Sequence, residues 1–384
     1  MRISHLSLLN FRNYKDLELA LPLGTTVVQG ANGHGKSNLL EAIYMMSIAK
    51  STKVSTDREL INNLSVTQLE QEKLSYAKIS CITEQLQGSE NLEIHYRCQS
   101  SENLHGFTAQ KFIRINGTPR RSSELVGIVN AVLFSVSDLD LIYGSPSIRR
   151  RYLDILLSQI DREYLKSIQQ YQKANTQRNH LLKLIREGVA SIEELKYWDE
   201  LIAKNAVVIT RKRKTAIETL EESSLPFHRS MASKAETLTI HYLSPGDFSK
   251  DINIDNFIYK LDVSRKKDIA QGSTHIGPHR DDLIFKINEM EASKYASRGQ
   301  SRTAILALKM AESEFLYHHR QTKPVLLLDD VMSELDVERR EQISEHIKYH
   351  DQVIVTTADH SNIPSLFMSD SHRLEITNGS INVI

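Results

Sequence analysis

The sequence predicts an α/β protein whose parallel-sheet body is interrupted by a helical insertion. Three observations predict this. A short β-branched stretch, Thr25-Thr26-Val27-Val28-Gln29, runs into a glycine-rich turn and then into good helix formers from Asn38 to Met46. Much later, Pro324-Val325-Leu326-Leu327-Leu328 is fully apolar and ends in Asp329-Asp330, the pattern of a strand covered on both faces. Between the two, apolar residues recur at helical spacing, so the middle of the chain reads as an insertion between segments that meet in space.

Composition sets the bounds. The chain has 384 residues, 48 Lys+Arg against 48 Asp+Glu, 40% hydrophobic, 25% charged and 7% aromatic residues. That is an ordinary globular composition with length for a full core and two or three domains. No stretch approaches the ~18 consecutive apolar residues of a membrane span. Met1-Arg2-Ile3-Ser4-His5 lacks the start of a secretory signal. The two cysteines, Cys81 and Cys98, have no metal-ligand spacing and read as buried or semi-buried thiols in a reducing compartment, so the expected location is cytoplasmic. Zero net charge argues neither for nor against nucleic acid, which responds to local patches.

The first element with chemistry is the turn. Gly30-Ala31-Asn32-Gly33-His34-Gly35-Lys36-Ser37 is a complete G-x-x-x-x-G-K-[ST] sequence between a strand and a helix. Glycines let successive backbone N–H groups point inward at phosphate oxygens, and the helix N-terminus adds its positive dipole end. Lys36 would reach the β- and γ-phosphates, and the Ser37 hydroxyl would ligate Mg²⁺. The ligand implied is ATP with Mg²⁺.

The middle follows. Leu153, Leu157, Ile160, Tyr164, Ile168 and Tyr171 recur at three- and four-residue steps. A break falls near Gly188, Ser191-Ile192-Glu193-Glu194 forms a capping box, and Leu195, Trp198, Ile202, Ala206 and Ile209 repeat the spacing. Two such helices pack as a short antiparallel arm, with the stripe as their core. Pro226 and Pro245-Gly246 mark the loops leading back. The expected division is residues 1–145 plus 265–384 as the body and 146–264 as the helical lobe. Arg120-Arg121, Arg149-Arg150-Arg151, Arg211-Lys212-Arg213-Lys214 and Arg265-Lys266-Lys267 are each either a solvated face or a phosphate contact. His279-Arg280-Asp281 mimics a kinase triplet, but kinases use a different glycine loop.

The last elements lie near the C-terminal strand. Asp329 would hold Mg²⁺ at the carboxyl end of its strand, and Asp330 would orient the attacking water. Ser297-Arg298-Gly299-Gln300 opens a long helix, alone an ordinary N-cap, and Ser333-Glu334-Leu335-Asp336 follows the aspartates. Val353 to Thr357 reads as a strand, and His360 beyond it as a surface-loop residue or a γ-phosphate sensor.

In this order the segments resemble ABC-type ATPase heads, and more closely the RecF family of SMC-like repair ATPases. The likeness rests on Ile3 to Tyr14, Gly30 to Asn38, Gly144 to Arg151 with Leu153-Asp154, Thr274 to Asp282, Ser297 to Gln300, and Asp329-Asp330 through Asp336. It implies an ABC-type ATP-binding head with an inserted second lobe. It further implies that Ser297, Gly299 and Gln300 contact the γ-phosphate bound by a second copy, and that Asn38 and Arg12 approach the nucleotide. The implied partners are duplex DNA and single/double-strand junctions, an ATP-dependent homodimer, RecR with RecO, and indirectly RecA, with no membrane. Asp330 stands where transporters carry a catalytic Glu, and its shorter reach implies slow hydrolysis. The alternatives are the nucleotide-binding subunit of an ABC transporter, normally with a Glu after Asp329, and a nuclease-linked ATPase, which needs an added carboxylate domain.

Overall fold

The computed structural model describes residues 1–62, 74–85, 88–100, 107–232, 236–246, 252–359, 363–364 and 371–384. The chain divides into two compact units, residues 1–138 with 312–384, and residues 139–311. The expected return to the body near residue 265 differs from this division. The reason is a small antiparallel sheet that the helical pattern did not announce: β9 (Leu238–Leu243) pairs with β10 (Asp282–Ile287), which pairs with β11 (Met290–Glu291). That pairing keeps residues 282–291 with the helical lobe.

The first unit is built from two six-stranded sheets. One is antiparallel: β1 (Arg2–Phe11), β2 (Tyr14–Ala20), β4 (Leu74–Gln85), β5 (Gly88–Ser100), β6 (Phe107–Ile115) and β7 (Thr118–Arg120), in the order β2-β1-β4-β5-β6-β7. The other is mostly parallel: β3 (Gly24–Gln29), β8 (Ala131–Ser135), β12 (Val325–Asp329), β13 (Gln352–Thr357), β14 (His372–Thr377) and β15 (Ser380–Val383), in the order β15-β14-β3-β13-β12-β8. The sequence placed β3, β12 and β13. Their side chains are buried on both faces, which is why the apolar runs do not alternate.

Helix α1 (Lys36–Ile48) packs against strands of both sheets and buries Leu39, Leu40, Ala42, Ile43, Met45 and Met46. A helix apolar around most of its circumference belongs in such a core. The two sheets are stitched by one buried amide: Ile3 N donates to Gln352 Oε1 at 2.9 Å, and Gln352 Nε2 donates to Ile3 O at 2.7 Å. Cys81 and Cys98 are buried free thiols, as expected.

The second unit carries α2 (Pro146–Ile160), α3 (Arg162–Arg186), α4 (Leu195–Met231) and α5 (Ile254–Gln271). The break at Gly188, φ 75°, is present. The Ser191 amide donates to Glu194 Oε1 at 2.9 Å, ahead of α4. Leu181, Leu182 and Leu195 seal the end of the α3–α4 pair. Pro226 does not lead into a loop; it lies inside α4. A proline there costs one backbone bond and about 3 kcal/mol. The burial of Phe227, His228 and Met231 beyond it holds the last turn together. Helix α6 (Arg298–Arg320) crosses the boundary between the units, and α7 (Val337–Ile347) follows β12. Among the described residues no helix is long and apolar enough to cross a membrane.

Candidate functional site

Strand register brings the predicted residues together. Strand β3 pairs in parallel with β13, and β13 with β12, so Thr357 lies beside Gln29 and Thr356 beside Asp329. The glycine loop therefore leaves the sheet at the same carboxyl edge where β12 delivers its carboxylates.

The loop is held from two sides. Asn13, in the β1–β2 turn, donates from Nδ2 to His34 O at 2.8 Å and accepts from Asn38 Nδ2 at 2.9 Å, and Tyr14 OH donates to Gly35 O at 2.8 Å. From the other side the β14–β15 turn contributes Gly379 N, which donates to His34 O at 3.1 Å. These approaches explain the glycines. A Cβ on Gly35, φ 118°, would lie 2.5 Å from Asn13 Nδ2, and one on Gly30 would lie 2.4 Å from Ile376 O. The close backbone path is what a phosphate cradle requires.

Lys36 is the first residue of α1, and its Nζ donates to Gly30 O at 2.6 Å and Ala31 O at 3.1 Å. Burial lowers the pKa of this ammonium, while the charges of Asp330 and Asp329 oppose the shift. Ser37 Oγ donates to Asp329 Oδ1 at 2.6 Å. The two expected metal ligands thus touch directly, and a hydroxyl with a carboxylate is a hard-oxygen donor set that fits Mg²⁺.

Asp330 has a left-handed backbone, φ 54°, and its N–H donates to Thr356 Oγ1 at 3.0 Å. Asp tolerates this conformation better than longer side chains, which gives Asp rather than Glu at this position a local reason. Its Oδ1 is buried and has no hydrogen-bond partner among the described residues. An orphaned carboxylate oxygen beside the Ser37–Asp329 pair is an acceptor awaiting a donor.

Two residues of this site escaped the sequence reading. Lys53 Nζ pairs with Asp329 Oδ2 at 3.0 Å; it sits in an irregular segment with no motif around it. Thr356, fully buried, donates toward Leu328 O and Asp329 Oδ1 at 3.3 Å each; its β13 neighbourhood was legible only as a strand. Arg12, expected to approach the nucleotide, is anchored on α1. Its guanidinium grips the buried Glu41 of α1 through Nε at 3.0 Å and Nη2 at 2.9 Å, and Nη1 donates to Glu59 O.

Ser297, Gly299 and Gln300 lie in the second unit. Exposed Ser297 caps α6: its Oγ accepts from Gln300 N at 3.2 Å, while its own N–H donates to Gln300 Oε1 at 2.9 Å. Gln300 Nε2 also donates to Glu236 at 3.0 Å. The cap presents a hydroxyl at the positive end of a long helix. Asp336 caps α7 through Arg339 N. His360 lies outside the described residues.

The basic clusters are largely engaged. Arg149 pairs with Asp282, Arg150 donates to Asp281 O, Lys212 pairs with Asp161 and Glu163, and Arg265 with Asp199 and Asp262. Arg213 is buried between Asp154 and Asp281. His279, from the kinase-like triplet, is a brace: its Nδ1 meets Tyr171 OH at 2.5 Å and its Nε2 meets Thr274 O at 2.9 Å.

The RecF/RecN/SMC N-terminal domain family matches residues 2–372. A DNA replication and repair protein RecF from Herpetosiphon aurantiacus is 36% identical over 387 residues, covering 99% of both chains. One from Bacillus cereus is 35% identical, covering 100% of this chain and 98% of that one. The solved structure of a recombination mediator protein RecF with ATP, of the RecFOR pathway, superposes with a TM-score of 0.86 at 31% identity, covering 100% of this chain and 97% of that chain. An Smc head domain from Pyrococcus furiosus shares the fold, with a TM-score of 0.54 and 17% identity. The chain belongs to the RecF family and has its ABC-type ATPase-head fold.

Proposed function

We propose that this RecF-family chain is an ATP-dependent DNA-binding protein of recombinational repair and replication-fork maintenance. ATP joins two copies head to head on duplex DNA or at a single/double-strand junction, and slow, DNA-stimulated hydrolysis opens them. The observation that carries the reading is the contact of Ser37 Oγ with Asp329 Oδ1 beside the glycine loop. These two oxygens hold Mg²⁺, which supplies charge neutralisation at the phosphate oxygens.

The chain's own groups do the rest. Loop amides and the α1 N-terminus bind phosphate. Lys36 exchanges the carbonyls of Gly30 and Ala31 for phosphate oxygens. Asp330 offers its unpartnered Oδ1 to the attacking water. Ser297, with Gly299 and Gln300, presents the α6 cap to the phosphate held by the other copy, so nucleotide state and association are linked. Arg12 acts through Glu41 and fixes α1 behind the loop. The RecFOR pathway of the structural relative supports RecR with RecO as partners; RecA loading in the cytoplasm is the outcome of the proposed cycle.

Sedimentation with duplex DNA, with and without ATP, tests this. Wild type forms a dimer only with ATP, Lys36→Arg binds nucleotide without turning it over, and Ser297→Ala binds nucleotide as a monomer. A wild type that stays monomeric at saturating ATP and DNA would sink the reading.

A further inference from the structure

The antiparallel sheet of the first unit has a solvent face that the nucleotide site does not use. Alternation along β4, β5 and β6 turns Tyr76, Arg97, Phe112 and Arg114 outward, while Ala77, Tyr96, Cys98 and Ile113 are buried. Tyr76 is 51% exposed and Phe112 47%. Large aromatics half in water on a sheet face ask for a reason.

The register arranges them. Tyr76 stands opposite Arg97 across β4–β5, and Phe112 stands opposite His95 across β5–β6. The two rings are thus separated by one strand and a two-residue offset, about 12 Å. Arg114 lies opposite Pro119 of β7, and Arg120, which pairs with Glu124 at 3.4 Å, and Arg121 continue the edge. Together they line an open groove of about 710 Å³.

Charge is segregated across this face. The β2 edge carries Asp16 and Glu18, and Glu93 of β5, opposite Arg114, pairs with Lys78 at 2.6 Å and is in hydrogen-bond contact with His95 at 3.2 Å. The groove itself has no carboxylate in its lining. Arg97 and Arg114 are exposed and have no hydrogen-bond or ion-pair partner among the described residues. The contrast with Arg149, Arg178 and Arg213 of the second unit is direct, since those three are paired with carboxylates of their own chain.

A positive groove with aromatic platforms a strand apart matches one ligand chemistry. Duplex DNA hides its base faces in the stack and gives exposed rings nothing to stack on. A single strand offers both a phosphate backbone and free π-faces. We propose that the outer face of β4–β7 binds single-stranded nucleic acid, with Tyr76 and Phe112 as stacking platforms and Arg97 and Arg114 as phosphate contacts. The inference extends the DNA-binding reading above to the unpaired arm of a junction. It does not require nucleotide, which keeps the two separable.

Fluorescence anisotropy of the full chain, without ATP, with a labelled oligo-dT and with a duplex of equal length, tests it. The double variant Tyr76→Ala/Phe112→Ala loses about tenfold or more in oligo-dT affinity and less than twofold for duplex. Arg97→Gln/Arg114→Gln lowers the slope of log affinity against log salt by about 1.4 for the single strand. Tyr76→Leu/Phe112→Leu keeps the apolar cover and removes the π-faces. It reproduces the aromatic loss with an unchanged melting temperature, so a folding defect cannot be mistaken for lost binding. Three outcomes would overturn the proposal: unchanged oligo-dT affinity in both aromatic variants, equal loss for duplex and single strand, or a changed oligomeric state with unchanged nucleic-acid affinity. Failure of ATP-dependent dimerisation would leave these readouts untouched and would count only against the nucleotide reading.

Discussion

The loop site and the ion-pair network of the second unit treat buried charge in opposite ways. At the loop, Lys36 rests on backbone carbonyls, Lys53 holds Asp329 from a half-exposed position, and one Asp330 oxygen has no partner among the described residues. These contacts are replaceable by a phosphate, a metal ion or a water. In the second unit, Arg178 is fully buried and donates from Nε to Asp199 at 2.7 Å and from Nη1 to Asp268 at 2.7 Å and Thr274 at 2.9 Å, so that although its Nη2 has no partner among the described residues its charge is held by two carboxylates. Arg213 is likewise sealed, reaching Asp154, Asp281, Tyr164 OH and Pro278 O. Its partners come from α2, α3 and the segment before β10, and those of Arg178 from α4, α5 and Thr274. The difference teaches that charge density alone does not mark a binding site. What marks it is charge whose present partners can be exchanged at little cost.

Breaking the sealed side has the largest expected effect. Arg178→Ala leaves the buried Asp268 without an arginine and Asp199 with only Arg265, 3.5 Å away, and should cost about 3–5 kcal/mol in denaturant unfolding. Arg178→Met with Asp199→Asn and Asp268→Asn should recover much of that loss. If the single variant melts like wild type, the network is not what holds α3, α4 and α5 together.

The poised side is sharpened by a variant outside the motif. The β14–β15 turn is Asn378-Gly379, with φ of 48° and 81°, the backbone that a tight hairpin needs. A Cβ on Gly379 would lie 2.5 Å from Asn13 O. Gly379→Ala should destabilise by about 2 kcal/mol, and should weaken nucleotide binding because Gly379 N also anchors His34 O. Calorimetric titration with a nucleotide analogue checks this, and unchanged affinity would show the loop to be self-supporting.

The smallest effect is in pH. Burial lowers the pKa of His279 to about 4. The unfolded chain therefore binds a proton near pH 6.5 that the folded chain refuses until about pH 4. Stability is fully present above pH 6.5 and falls as pH drops through this window, by up to about 2 kcal/mol at pH 5 from this group. His279→Gln should flatten that part of the stability profile. An unchanged profile would mean that His279 is not the group responsible.

Much of the site was legible because its chemistry is local. Gly30 to Ser37 must be contiguous for a strand, a turn and a helix to make one cradle, so the string itself carries the signal. Asp329 and Asp330 were legible because a both-faces-buried strand has no polar residue until it ends. Lys53 and Thr356 were not, because they reach Asp329 from other elements through hydrogen bonds that no spacing encodes. The same holds for Pro226, where local propensity pointed to a loop and the burial of Phe227, His228 and Met231 decided for helix. It holds also for the β9–β10 pairing, whose strands lie apart in sequence.

The sequence by itself determined the α/β class, the loop, the strand that meets it and the helical insertion, since periodicity and contiguous motifs are properties of neighbouring residues. Only the tertiary structure decided which cations are spent and which are available. Arg149 and Arg213 stand in basic runs that the sequence leaves open as solvated face or phosphate contact, and nothing local sets them apart from Arg97 and Arg114. They differ because a charge is committed by the carboxylate that folding brings to it, and that carboxylate lies on another element of the chain.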